Sequence, residues 1–324
     1  MAETPTVISA ETREERKRHH FLVELLIRLV REKPLGVVGG VIVLVLLFTG
    51  IFANALALYG FNDIYLAERL LPPSGAHILG TDNLGRDLLS RIIYGARISM
   101  FVGLGVALIE ITLNTLIGMV SGYLGGKVDL IIQRFVDAWM CFPRLVLLLT
   151  IMTIVGPGIV QVIFVLGIVG GLGGATRVKR SAVIGIKENL YFEAARAIGT
   201  PATRIIMRHV LPNIMPVIII TFTMNVGQAI ISEATLSFLG FGIPPPVPSW
   251  GGMLSGPGRQ FMLLAPWMVM WPGLALALVV YGINMLGDAM RDLLDPRLRG
   301  GLGRYAGMEK TRAKRATKAG VAAV

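Results

Sequence analysis

The sequence predicts an all-α polytopic membrane protein with six transmembrane helices, and three observations carry that expectation. Hydrophobic residues make up 54% of the 324 positions and charged residues 16%, too apolar a balance for a soluble domain. Apolar runs of membrane-spanning length recur along the chain, separated by short polar stretches. Of 31 Lys and Arg, 25 fall in segments assigned to one side, 5 in segments assigned to the other, and Arg144 lies within a span. The basic excess marks the cytoplasmic side and places both termini there.

The net charge of +11 does not indicate nucleic acid, because the basic residues lie between and beyond apolar segments without interleaved aromatics. Cys141 is the single cysteine, which excludes a disulfide framework. His19, His20, His77 and His209 have no metal-ligand spacing, so no metal site is expected. No phosphate loop, catalytic triad or metal motif occurs, and the chain is expected to be non-catalytic.

Residues 1–20 are polar, end in RKRHH, and read as a disordered cytoplasmic tail. From Phe21 to Lys33 apolar residues share one face opposite Glu24, Arg28 and Arg31, the pattern of a helix on the membrane surface. Pro34 separates it from the first span, about Leu35 to Tyr59. Ala53-Asn54-Ala55 mimics a signal-peptidase site, but the apolar run is too long for a cleaved signal, and a retained helix is expected.

Residues 60–97 form an outer segment. Thr81, Asp82 or Asn83 is expected to cap a short interfacial helix with Leu88, Leu89, Ile92 and Ile93 on one face. Asp82 and Arg86 either pair locally, the favoured reading, or face a partner. The second span, about Ile98 to Gly122, carries Glu110 and Asn114 four residues apart on one face. Such a buried carboxylate either lines a path or bonds a neighbouring helix. Residues 123–134 read as an inner loop, and Gly125-Gly126-Lys127 is not a phosphate loop.

The third span, about Phe135 to Val155, contains Pro143 and Arg144. Arg144 either meets a substrate carboxylate or, the weightier reading, snorkels to the near interface. The fourth span, Ile159 to Thr176, has glycines at 167, 170, 171 and 174 suited to close helix packing. Lys187 to Pro212 is the longest polar interruption. Leu190, Tyr191, Ala194 and Ala195 form one side of a first helix there, and Gly199 stands where a left-handed residue ends it. Thr200 is expected to cap a second helix with Pro201 in its first turn.

The fifth span, about Ile214 to Leu239, has a polar stripe of Asn225, Gln228, Ser232 and Thr235, with Glu233 near its outer end. It is the best internal candidate for lining a path. Pro244 to Pro246 and Pro248 predict a stiff outer loop with Trp250 at the membrane interface. The sixth span, Met262 to Leu286, tolerates Pro266 and Pro272 near its outer end. A basic tail from Arg299 suits anionic lipid or simple solvation. The organisation is thus a tail (1–20), an N-terminal region (21–97), a five-span core with a cytoplasmic loop (98–298, loop 187–212), and a basic tail (299–324).

Glu193-Ala194-Ala195, three residues, Gly199, nine residues, His209 and then Leu211-Pro212 resemble the EAA loop of ABC importer permeases. Two further stretches, His77 to Asp87 and Glu233 to Gly251, resemble the dipeptide and oligopeptide branch, C-type subunit. The resemblance covers residues 21–298. It implies a type I importer transmembrane domain forming half of a permease heterodimer in the inner membrane. Implied partners are a second permease, two cytoplasmic ATP-binding subunits holding ATP and Mg, and an extracytoplasmic binding protein; this chain needs no cofactor of its own. Glu193, Ala194, Ala195, Gly199, Leu211 and Pro212 are then the ATPase-docking residues, with Glu193 and Gly199 carrying the coupling. Path candidates are Glu110, Asn114, Arg144, Asn225, Gln228 and Glu233. Di- and oligopeptides are the implied substrates, with nickel complexes, glutathione or another small solute as alternatives. An ion-coupled secondary transporter is the rival class; Glu110 and Glu233 are its only support.

Overall fold

The computed structural model describes residues 21–294, with side chains from residue 25 onward. The expected tails at 1–20 and 299–324 lie outside the described residues. Within them every regular element is helical. Four helices are long and apolar enough to cross a membrane, and six segments qualify if each of two bent pairs counts as one span.

The amphipathic segment forms α1 (Phe21–Glu32) and Pro34 occupies the first turn of α2 (Pro34–Ile51), which a one-turn α3 (Ala53–Leu56) extends. Lys33 between α1 and α2 is non-helical, as expected of a residue before proline. The outer segment is mostly irregular apart from a 3₁₀ turn, Leu66–Glu68. No separate interfacial helix follows. Asp87, not Thr81, Asp82 or Asn83, is the cap: its side chain accepts from the Ser90 N–H, and α4 (Leu88–Leu124) runs on without interruption. At 37 residues it is about 55 Å long, nearly twice the hydrocarbon thickness. Residues 81–87 instead close a loop stitched by a Thr81–Asp87 bridge. The expected local pair is there, with Arg86 Nε donating to Asp82 Oδ2 at 2.7 Å.

The expected inner loop and third span become two helices, α5 (Gly126–Met140) and α6 (Arg144–Val155), bent by 85°. Gly125, at φ +66, ends α4 in a conformation few other residues adopt, so the chain re-enters a helix at once. Pro143 then breaks it, because the residue before a proline avoids helical geometry. The fourth span likewise divides into α7 (Ile159–Gly171) and α8 (Ala175–Lys187), bent by 47°.

A short α9 (Leu190–Ala197) follows, then α10 (Ala202–Ile205), a π-helical turn (Ile206–Val210) and α11 (Leu211–Phe238). The last three join without a break into one 37-residue span. The outer loop carries α12 (Trp250–Leu254) and α13 (Pro257–Gln260), and α14 (Trp267–Leu294) completes the chain.

α4 is the central helix, packing against α2, α7, α8 and α11, while α14 packs on α2 and α11. Small residues permit the close approaches: a side chain at Gly39 of α2 would strike the Gly282 carbonyl of α14. Trp250 corrects its expected place at the lipid interface. It is 2% exposed, donates from Nε1 to the Ile92 carbonyl at 3.1 Å, and packs over Gly95. The indole fastens the outer loop onto α4.

Candidate functional site

The polar hairpin is built around Gly199. The Gly199 N–H donates to the Arg196 carbonyl (3.0 Å) and the Thr200 N–H to the Ala195 carbonyl (3.1 Å), with Gly199 at φ +75. This is a Schellman closure of α9. The expected Thr200 cap is not formed: Thr200 contributes its backbone N–H to that closure, and the residue at the N-cap of α10 is Pro201, with no side-chain cap. The buried face of α9 is Phe192 and Ala195, which join Val183, Ile205, Val210 and Ile214 in one apolar cluster. Leu190, Tyr191 and Ala194, expected beside Ala195, are exposed, as are Glu193, Gly199 and Pro212, whereas Leu211 is half-buried. Ile198, at 82% exposed, adds to the uncovered apolar tip.

Above the hairpin, α8 is held to α5 by charge. Arg180 Nε and Nη2 grip Asp129 at 2.6 and 2.5 Å, and Arg177 pairs with Asp137. Ser121 Oγ donates to Asp129 Oδ1, and Lys187 Nζ donates to the Gly122 and Tyr123 carbonyls at the end of α4.

Deeper in the bundle, Glu110, Arg144 and Asn225 line one partly open cavity of about 490 Å³. Arg144 Nη2 donates to Glu110 Oε1 at 3.2 Å, so one arm of the guanidinium is paired to α4. Glu110 is 4% exposed, whereas the Arg144 side chain keeps 44% of its surface. Asn114, one turn beyond Glu110, is fully buried, and neither polar atom of its side chain has a hydrogen-bond partner. Gln228 is exposed on α11 and does not line this cavity. Glu233 sits apart: it accepts from Ser237 Oγ at 2.7 Å, and Ser237 Oγ in turn accepts from the Ile243 N–H, which ties the end of α11 to the outer loop.

Lys179 is the residue that sequence reasoning passed over. It is fully buried, donates from Nζ to Thr221 Oγ1 at 2.7 Å, and lies within electrostatic reach of Glu110. A signal was available: Thr176, Lys179 and Val183 share one face of α8, and that spacing places the lysine with buried neighbours. A second cavity, about 380 Å³, opens under the outer loop beside Asp82, Arg86 and Arg91. At the heart of that outer segment, His77 is buried between Asp87 (Nδ1 to Oδ1, 2.9 Å) and Glu68 (Nε2 to Oε2, 3.1 Å). No group of His, Cys, Asp and Glu suited to a metal ion occurs among the described residues.

Residues 114–300 match the family described as binding-protein-dependent transport system inner membrane component. The chain belongs to that family. Among its relatives, the dipeptide transport system permease protein DppC of Alkalihalophilus pseudofirmus is 38% identical over 83% of this chain and 88% of its own length. The oligopeptide transport system permease protein OppC of Bacillus subtilis is 35% identical over 83% and 88%. The glutathione transport system permease protein GsiD of Pectobacterium atrosepticum is 38% identical over 82% and 87%. The chain is thus a membrane-spanning importer permease of the all-helical type, and the match runs through the hairpin, both bent spans and α11.

Proposed function

We propose that this chain is one half of the permease of an ATP-driven, binding-protein-dependent importer of peptides. The observation that carries the coupling role is the hairpin: a small apolar cluster fixes its shape while Leu190, Tyr191, Glu193 and Ile198 face outward. An apolar tip beside a charged residue, projecting from spanning helices, is suited to a cleft on another subunit. In this reading the partner is a cytoplasmic ATP-binding subunit. Both termini and the hairpin lie on the cytoplasmic side of the inner membrane, and a second permease completes the path along the cavity of Glu110, Arg144 and Asn225.

Peptides are the proposed cargo because the relatives named for dipeptides, oligopeptides and glutathione share peptide chemistry. ATP-driven closure of the ATPases would press the two hairpins together and shift the spans between inward- and outward-open states. Co-purification in mild detergent, followed by peptide uptake into proteoliposomes with and without ATP, tests the proposal. Stoichiometric recovery of a second permease and ATP-binding subunits with ATP-dependent uptake is expected; uptake independent of ATP would overturn it.

A further inference from the structure

The cavity between α4, α5, α6, α7 and α11 holds an uneven set of charges. Arg144 on its wall and Lys179 behind it face a single carboxylate, Glu110. Asp137 on α5 is engaged by Arg134 and Arg177. The site thus sets two basic groups against one acid, and a basic group buried in a helix bundle calls for a counterion.

The donors are uneven too. Arg144 carries five N–H groups, makes one hydrogen bond, to Glu110, among the described residues, and lines the cavity with 44% of its side chain accessible. Asn225 Nδ2, on a residue of the same wall, is buried without a hydrogen-bond partner. Arg144 thus presents donors to the cavity, and Asn225 holds one unsatisfied donor buried in its wall. Gly170 leaves the space that the Glu110 carboxylate fills, and that carboxylate steers the guanidinium.

We propose that Arg144, with Asn225 as a second donor, binds the C-terminal carboxylate of a peptide passing through the membrane. A planar guanidinium matches the two oxygens of a carboxylate as no ammonium does, and the volume of about 490 Å³ falls within the range of small-molecule sites. Glu110 holds the guanidinium in place, while Lys179 balances Glu110 when the incoming carboxylate shares Arg144. The inference rests on the peptide-importer reading above and adds to it the end of the peptide that this chain recognises.

The test uses the assembled importer in nanodiscs without binding protein, titrated by equilibrium binding with radiolabelled dialanine and with its C-terminal amide. The wild-type complex is expected to prefer the acid by about tenfold or more, the effect of charge-assisted hydrogen bonds. Arg144→Gln should abolish that preference and bind both compounds as weakly as wild type binds the amide, while Arg144→Lys keeps part of it. If Arg144→Gln does not assemble, Asn225→Ala should weaken acid binding and leave amide binding as it was. A wild-type complex without acid preference, including one that binds neither compound, or an Arg144→Gln complex that retains the preference, overturns the inference. ATP-dependent uptake by the same preparation, with binding protein added, separates the two readings: uptake without acid preference removes the Arg144 assignment alone, and absence of any ATP-dependent peptide uptake removes the importer.

Discussion

The Glu110 carboxylate fills the volume that a side chain on Gly170 would need. α4 and α7 approach closely enough for a helix-borne carboxylate to rest on the bare backbone of its neighbour, and from there it reaches Arg144 at 3.2 Å. Gly170→Ala should therefore expel Glu110 from its seat, at a cost of about 1–3 kcal/mol for overpacking, and free Arg144. Thermal unfolding of the purified complex is the check, with Gly185→Ala as a control because a Cβ there meets nothing within 4 Å. Equal effects of the two substitutions would refute the seat.

Gly199 has open space around it, so its requirement is conformational alone. Gly199→Ala should weaken the hairpin by about 1–2 kcal/mol through the left-handed geometry. Asn should be better tolerated, and Pro should be worst because it also removes the N–H bonded to Arg196. Retention of the ATP-binding subunits on the purified permease should follow that order, Gly, Asn, Ala, Pro.

Asp129 and Arg180 join α5 to the helix that leads into the hairpin, through two short charge-assisted hydrogen bonds. The pair is partly buried, and breaking it with Asp129→Asn should destabilise the complex by about 1–3 kcal/mol. Combining Asp129→Asn with Arg180→Gln should add much less than a second such loss, since both act on one contact. A double-mutant cycle on unfolding free energy measures this, and strict additivity would deny the link.

Burial works to lower the His77 pKa, but the hydrogen bonds to Asp87 and Glu68 outweigh it and hold the imidazole above its ordinary 6.5. A raised folded-state pKa stabilises most fully below the unfolded value and loses that contribution as pH rises through the folded value. The stability advantage of wild type over His77→Gln should hence be greatest below about pH 6 and shrink on the alkaline side. Hydrogen exchange over residues 60–90 at a series of pH values reads it directly. An advantage that grows with pH would reverse the assignment.

The spans and the hairpin turn were legible because apolar length, proline and glycine act locally. Gly199 announces its φ, and Asp82 and Arg86, four residues apart, announce their pair. What escaped depends on approach in space. Arg144 meets Glu110 across 34 positions, and Trp250 meets Ile92 across 158; no local pattern encodes either. The first half of α5 reads as a loop in sequence because its polar residues, among them Asp129 and Gln133, look solvated there but are absorbed by Arg180 and Ser121. The cap of α4 was assigned too early because Thr81 and Asp82 are good capping residues already committed elsewhere: Thr81 Oγ1 bonds Glu68 and Leu71, and Asp82 bonds Leu84 and Arg86.

The unbroken run from Ala202 to Phe238 has a mechanical corollary. Its 37 residues join the second arm of the hairpin at one end to the Glu233–Ser237 anchor of the outer loop at the other, and two joints interrupt the regular ladder between them, the π-helical turn at Ile206–Val210 and Pro216. A helix with such joints carries a displacement from one end to the other only as far as the joints stay stiff. A sideways push of a few ångströms on the hairpin arm would thus divide between bending at those joints and tilting of the segment beyond Pro216, and only the tilt would be felt at the Glu233–Ser237 anchor.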